Sequence, residues 1–377
     1  MVPPLPQEML DLIVDHLRDE PTALKSCCLV SRSWITRTRR HLFARIEFRE
    51  SRTSTLESWM KTFPDPSNSP AHHTRSLSIF RLPTFSARGP STRAWICAFR
   101  RLEHLNICAF FCASIRGPFL PFHGISPTLR SLSITSFAAP VPEVFDLVCS
   151  FPFLDDLKLS SVIGYKPDTW TIPSTSPKLT GTLHVGKLSG TKSIIRRLLE
   201  LPDGLHFSKI LVDYFCEAEL TIDLVPRCFD TLETLQIGRM YFGALPSTST
   251  VHRYLTATHA DHSSLPPPLD LLKATKLKDL GFCISSSSST QWIIMTLQTA
   301  RSSESLRQIT IRLHSDLLVW KTVRSELQDL DNLLAELWTS RSICPKVKHS
   351  KGKEGNGGKL ARSFLPRAVN AFSSQFK

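Results

Sequence analysis

Apolar and polar positions fall into two regimes along this chain. From Leu77 onward one short pattern keeps returning, apolar-x-x-apolar-x-apolar. It is clearest at Leu102/Leu105/Ile107, Leu129/Leu132/Ile134, Leu154/Leu157/Leu159, Leu232/Leu235/Ile237, Leu277/Leu280/Phe282 and Leu306/Ile309/Ile311. Weaker copies stand at Leu77/Ile79, Leu183/Val185 and Ile210/Val212. Alternation of this kind predicts a short strand with one buried face. The middle apolar residues are spaced 28, 27, 25, 26, 27, 25, 45 and 29 positions apart. Between them Trp95/Ile96/Phe99, Val144/Phe145/Val148/Cys149, Ile194/Ile195/Leu198/Leu199 and Trp292/Ile293/Met295/Thr296/Leu297 have helical spacing. Pro140, Pro142 and Pro202 punctuate the boundaries.

A period near 26 resembles leucine-rich repeats, in which each strand-plus-helix unit needs its neighbours to cover its apolar face. The implied fold class is α/β, a solenoid of parallel strands with helices. The slot that regular repeats fill with Asn or Cys holds Phe110, Phe137, Val162 and Met240 here, so an irregular solenoid with apolar turns is expected. The step of 45 marks an insertion between Gly243 and Ala274, containing Pro266-Pro267-Pro268, that should bulge as a loop. The Ser285–Ser289 run reads as a flexible connector. If the leucines point inward, the residues alternating with them line the open sheet face. Those are His104, Asn106, Ser131, Ser133, Asp156, Lys158, Lys209, Asp213, Thr234, Gln236, Gln308 and Arg312. They are polar and mixed in charge, which suits a protein ligand, and Asp156, Lys158, Lys209 and Asp213 are the candidate specificity residues.

The first 45 residues follow the other regime. Leu10, Ile13, Val14 and Leu17 lie at i, i+3, i+4 and i+7, one apolar helical face, while Glu8, Asp11 and Asp15 form a polar stripe. Met9 and Leu12 widen the apolar side beyond one face. Pro21 suits the first turn of a second helix, and Ser31 is placed to cap a third carrying Trp34, Ile35, Thr38 and Leu42 inward. Three short helices cannot bury a self-sufficient core, so the apolar excess needs cover from the rest of the chain or from another protein.

The ordered set Leu5-Pro6, Glu8-Met9-Leu10, Ile13, Leu17, Leu24, Leu29-Val30, Ser31-Arg32 and Trp34 resembles an F-box over about forty residues. The resemblance implies docking on a Skp-type adaptor and, through it, on a cullin–RING ubiquitin ligase, with the repeats holding a protein substrate. Leu5, Pro6, Ile13, Leu24, Leu29, Val30 and Trp34 match motif positions that serve either the adaptor face or the three-helix core. Sequence alone does not divide those two roles.

The expected organisation is an F-box at 1–45, a connecting strand, helix and loop at 46–75, repeats at 76–340 and a basic, disordered tail at 341–377. Arg45 to Phe48 alternates as a strand that would open the repeat sheet. Leu56, Trp59, Met60 and Phe63 have helical spacing, and Ser67 to His73 reads as a polar loop. Net charge is +13 over 377 residues, but nine basic residues and one acid crowd between Arg341 and Lys377. The charge therefore belongs to an appendage and not to a groove. Removing the chain from Lys346 onward is expected to leave the melting temperature within about 2 °C. Lys346–Lys353 also offers a segment that nuclear import machinery could read.

Three acids and no basic residue in Met1–Leu17 argue against a signal peptide, and no apolar run reaches membrane-spanning length. A soluble protein of the cytoplasm or nucleus is expected, its ten cysteines free and mostly buried. Phosphate-binding glycine motifs and the Gly-x-Ser-x-Gly elbow are missing. His72 and His73 lack partners for a metal, and Cys108, Cys112, His104 and His123 read as packing. No enzyme, cofactor or metal is expected. The alternative functions are a repeat scaffold with no ligase partner and a nucleic-acid binder acting through the tail.

Overall fold

A computed structural model describes residues 6–49, 55–80, 94–108, 122, 125–135, 138–160, 163–165, 177–186, 196–201, 204–215, 218–240, 267–284, 287–313, 324–341 and 343–349. Three helices come first, Gln7–His16 (α1), Pro21–Val30 (α2) and Arg32–Leu42 (α3). Arg45–Phe48 (β1), Leu56–Thr62 (α4), Ser76–Phe80 (β2), His104–Cys108 (β3) and Ser131–Thr135 (β4) follow. Then come Ala138–Pro140 (β5), Val141–Cys149 (α5), Phe153–Ser160 (β6), Ile163–Tyr165 (β7), Lys178–Val185 (β8) and His206–Phe215 (β9). The remaining elements are Ala218–Arg227 (α6), Thr234–Met240 (β10), Asp279–Ile284 (β11), Ser287–Thr299 (α7), Gln308–Leu313 (β12), Arg324–Arg341 (α8) and Cys344–His349 (β13).

The chain divides into two compact units. One holds residues 1–158 and 162–177, the other 159–161 and 178–377, so the boundary falls within β6. In the first unit the main strands lie in the order β1-β2-β3-β4-β6, and β5 pairs with β7 apart from them. In the second the order is β8-β9-β10-β11-β12-β13. Every pairing described is parallel, and helices connect several of the strands, so an α/β strand–helix repeat is observed.

Register follows from the leucines. Ile46 pairs with Leu77, Leu77 with Leu105 and Leu105 with Leu132. In the second unit Leu183, Ile210, Leu235, Leu280, Ile309 and Pro345 form the same column. Slipping any strand by one residue would turn its leucines to the polar side, which pins the register. Leu77, Leu105, Leu132, Leu183, Ile210, Leu235, Leu280 and Ile309 are all 1% exposed or less.

A rung of hydroxyls also joins the repeats. Thr128 Oγ1 donates to Leu102 O at 3.1 Å, Thr231 Oγ1 to Phe207 O at 3.1 Å and Ser305 Oγ to Leu277 O at 2.9 Å. Each donor stands four residues before the middle apolar residue of its strand, and each acceptor three before that of the preceding one. These bonds satisfy carbonyls that the strands have not yet picked up. The turn positions Phe110, Phe137 and Val162 lie outside the described residues; Met240 ends β10.

Several sequence expectations change. The Ser67–His73 stretch is two short 3-10 turns, with Ser69 and Ala71 fully buried. Residues 267–274, the end of the expected loop, pack on α7: Trp292 Nε1 donates to Pro267 O at 3.1 Å, and Leu271 N to Thr299 Oγ1 at 3.1 Å. Residues 241–266 lie outside the described residues. Ser287–Ser289 begin α7 instead of forming a connector, and Ser289 is buried. β13 pairs with β12 inside the segment assigned to the tail, with Ile343 buried just before it. Alternation hid this strand because its inward position 345 is a proline and lysines follow. Of the described cysteines, Cys27, Cys228 and Cys283 are buried, Cys28, Cys108, Cys149 and Cys344 are half-buried and Cys97 is exposed. Burial pushes the Cys149 thiol up to about 12 and that of Cys228 up to about 11, far from reactive thiolate character.

Candidate functional site

The N-terminal helices are held together by charge, and this decides which apolar residues are left outside. Asp15 of α1 accepts from Arg37 Nε at 2.7 Å and from the Arg37 Nη2, and lies 2.7 Å from His41 Nε2. The Arg37 guanidinium, aided by His41, holds the Asp15 carboxyl well below the usual carboxylate range despite partial desolvation. Asp11 joins more loosely, 3.9 Å from Arg37. Asp11 and Asp15 of the polar stripe therefore turn toward α3, while Glu8 is exposed.

Since α1 gives that side to ion pairs, its other side is uncovered. Val14 is 1% exposed, but Ile13 is 40%, Met9 48% and Leu12 54% exposed. Met9, Leu12 and Ile13 stand at i, i+3 and i+4, one side of the helix. At the end of α2, Leu29 is 89% and Val30 68% exposed, while Leu24 and Cys27 of the same helix are buried. The motif residues thus divide as sequence could not divide them. Leu24 belongs to the core, Trp34 is half-buried, and Pro6, Ile13, Leu29 and Val30 are exposed. Leu5 lies outside the described residues. Ser31 caps α3 by accepting from Ser33 N, and Thr38 is fully buried.

The helices continue into the first strand without a break in packing. Phe43 meets Trp59 edge-on at 5.8 Å, and Trp59 meets Phe48 of β1 at 6.0 Å and Phe63 at 4.6 Å. Arg75 N and Ser76 N both donate to Ala44 O, joining the end of the helical segment to β2. Sequence reading foresaw β1 in this sheet but not the aromatic cluster that secures it.

On the repeats, all twelve predicted face positions are exposed or half-buried. Asp156 and Lys158 are exposed on β6 in the first unit. Lys209 (half-buried) and Asp213 (exposed) lie on β9 in the second. The proposed quartet is thus two pairs in different units. Asp213 Oδ2 lies 2.7 Å from His184 Nε2 of the neighbouring strand, a partner not foreseen. Farther along, Arg312 reaches Gln236 Oε1 at 3.1 Å. β11 lies between their strands, and its Gly281, paired with Gln236, leaves room for the arm to cross.

Charged residues stand two positions before the middle apolar residue in most repeats, Gly181 and Ser208 being the exceptions. Arg75 stands 3.7 Å from Glu103, Arg130 3.7 Å from Asp155, and Lys278 donates to Glu233 at 2.9 Å. Such exposed pairs contribute little stability each. The signal was available as alternating sign at a fixed offset.

His72 and His73 stack at 3.9 Å with His72 Nδ1 2.7 Å from Ser69 O. Cys112 and His123 lie outside the described residues; His104 is exposed and Cys108 half-buried. Among the described residues no three His, Cys, Asp or Glu side chains group as a metal site, and no helix is long and apolar enough to cross a membrane. In comparisons with known proteins, no family model matches the chain and no curated protein matches it.

Proposed function

We propose that this chain is the substrate-recognition subunit of a Skp–cullin–F-box ubiquitin ligase. Its N-terminal helices dock on a Skp-type adaptor, and its repeat face holds a protein substrate. The chain makes no bond itself; it positions the substrate and raises its effective concentration at the ligase.

One observation carries the reading. Ile13, Leu29 and Val30, at positions of the F-box-like motif, are exposed on helices whose mutual packing is already completed by Val14, Leu24, Cys27 and the Asp15–Arg37 pair. Exposed apolar side chains in this number mark a docking surface, and a few central anchors dominate such interfaces. On the repeat side, exposed Asp156 and Lys158, with Lys209 and Asp213, offer polar contacts of both signs. Reversing these four charges is expected to abolish substrate capture while adaptor binding survives.

The deciding experiment is co-purification of the adaptor with the full chain and with the Leu29→Ala, Val30→Ala double variant. Loss of more than about tenfold in adaptor affinity, with unfolding unchanged, is expected. A folded double variant that retains the adaptor overturns the proposal.

A further inference from the structure

The residues at the far end of the second unit were read as part of a basic tail, yet β13 places them on the sheet. Lys346 is exposed and pairs in register with Thr310 of β12. Lys348 is in register with Arg312, and Arg312 with Cys283 of β11. The ladder of β10 shifts after Ile237, and this irregularity brings Arg239 opposite Cys283 as well. Gly238 makes the shift possible, since a Cβ there would lie 2.0 Å from Asp213 O. Three cationic positions, Arg239, Arg312 and Lys348, therefore share one register row, with Lys346 beside it.

Within the four strands β10–β13 the charge balance is one-sided, while the neighbouring β9 brings Asp213, 2.7 Å from His184, next to Tyr214, the register partner of Arg239. In the segments Thr234–Met240, Asp279–Ile284, Gln308–Leu313 and Cys344–His349 the single acid is Asp279. It pairs with Gln308 at the other end of the strands, four positions from the row, or about 13 Å at strand rise. Arg312 and Lys348 stand at paired register positions of neighbouring strands. Arg312 is held in place: its guanidinium donates to the neutral Gln236 Oε1, which orients it without cancelling its charge. Oriented guanidinium donors beside a lysine suit carboxylate and phosphate oxygens.

From this arrangement we infer that the β10–β13 end of the repeat face binds an anionic segment of a protein, carrying carboxylate or phosphate groups. This deepens the substrate-binding half of the proposed function and rests on it. A nucleic acid fits less well. The row crosses four strands, about 15 Å at sheet spacing, a short track for a nucleic-acid backbone, and it meets a single aromatic position, Tyr214 of β9 in register with Arg239, where a run of stacked bases needs several.

The test uses the full chain and fluorescence anisotropy with four labelled probes of equal length. These are a peptide rich in Asp and Glu, the same peptide with phosphoserines in place of the acids, a Gln-rich neutral peptide, and single-stranded DNA. One variant is Arg312→Gln with Lys346→Gln and Lys348→Gln; another is Lys346→Gln alone, a surface change that leaves the fold intact. A third, Lys351→Gln with Lys353→Gln and Lys359→Gln, removes the first three of the six basic residues that follow. The expected result is binding of the acidic or the phosphorylated peptide but not the neutral one. The difference between the first two probes tells carboxylate from phosphate. Affinity should fall at least about tenfold in the triple strand variant, and measurably in Lys346→Gln, and stay within about twofold in the third. Equal affinity in the strand variants, loss confined to the third variant, or preference for DNA overturns the inference. Adaptor co-purification measured on the same samples reports separately on the docking half of the function, which none of these variants touches.

Discussion

The helical segment and the repeats solve the burial problem in opposite ways. In the repeats the apolar residues of every strand face inward and polar residues alternate outward, so Leu105, Leu132 and Leu235 are at most 1% exposed. In the helices a half-buried aspartate–arginine pair joins α1 to α3, and Met9, Leu12, Ile13, Leu29 and Val30 remain outside. The strands are complete once their neighbours in the array are present. The helices are folded but not covered. The helical segment joins its helices partly through an ionic contact and leaves Leu29 89% exposed.

This contrast can be broken by experiment, beginning with the largest effect. Leu132→Ala should destabilise the chain by about 3 kcal/mol in denaturant unfolding, because it opens a cavity in the repeat core. Leu29→Ala, the same chemical change, should cost less than about 0.5 kcal/mol since the side chain is exposed. Similar costs for the two would erase the distinction.

Ending the chain at Arg341 removes β13, its ladder with β12 and the buried Ile343. The expected cost is about 2 kcal/mol relative to a chain ending at His349, read as a lower melting temperature. Identical melting curves would return β13 to the status of a tail, as the sequence reading had it.

Replacing Asp15 by Asn tests the ionic contact. Its side chain is 34% exposed, so solvent screening limits the cost to about 1 kcal/mol at neutral pH. The carboxyl is held below its usual range by Arg37 and His41, so its contribution is full above the unfolded value near pH 3.9 and is lost as pH falls toward the folded one. The advantage of the native chain over Asp15→Asn should be flat from about pH 5 to about pH 8 and shrink only below about pH 4. An advantage that vanishes on the alkaline side would assign the pairing elsewhere. Smallest in folding but largest in binding is Leu29→Ala with Val30→Ala, expected to leave the melting temperature within about 2 °C while the adaptor is lost.

The sequence by itself determined the repeat strands, their period and their register. Leu77, Leu105 and Leu132 each carry an alternating local pattern, and local alternation is enough to say which side of a strand is buried. It also determined the limits of the early helices, through Pro21 at the first turn and Ser31 at the cap. Tertiary structure decided what depends on partners distant in the chain. Which side of α1 turns inward was settled by Arg37 and His41, 22 and 26 residues from Asp15. That choice moved Ile13 outward while Val14 stayed buried. The same holds for β13, whose Pro345 and lysines resemble a tail until Ile309 and Ile311 offer them a ladder. Ser287–Ser289 begin the helix that carries the buried Trp292 and Ile293. Periodicity reports the side a segment can bury; only the neighbours that arrive in the fold decide which side it does bury.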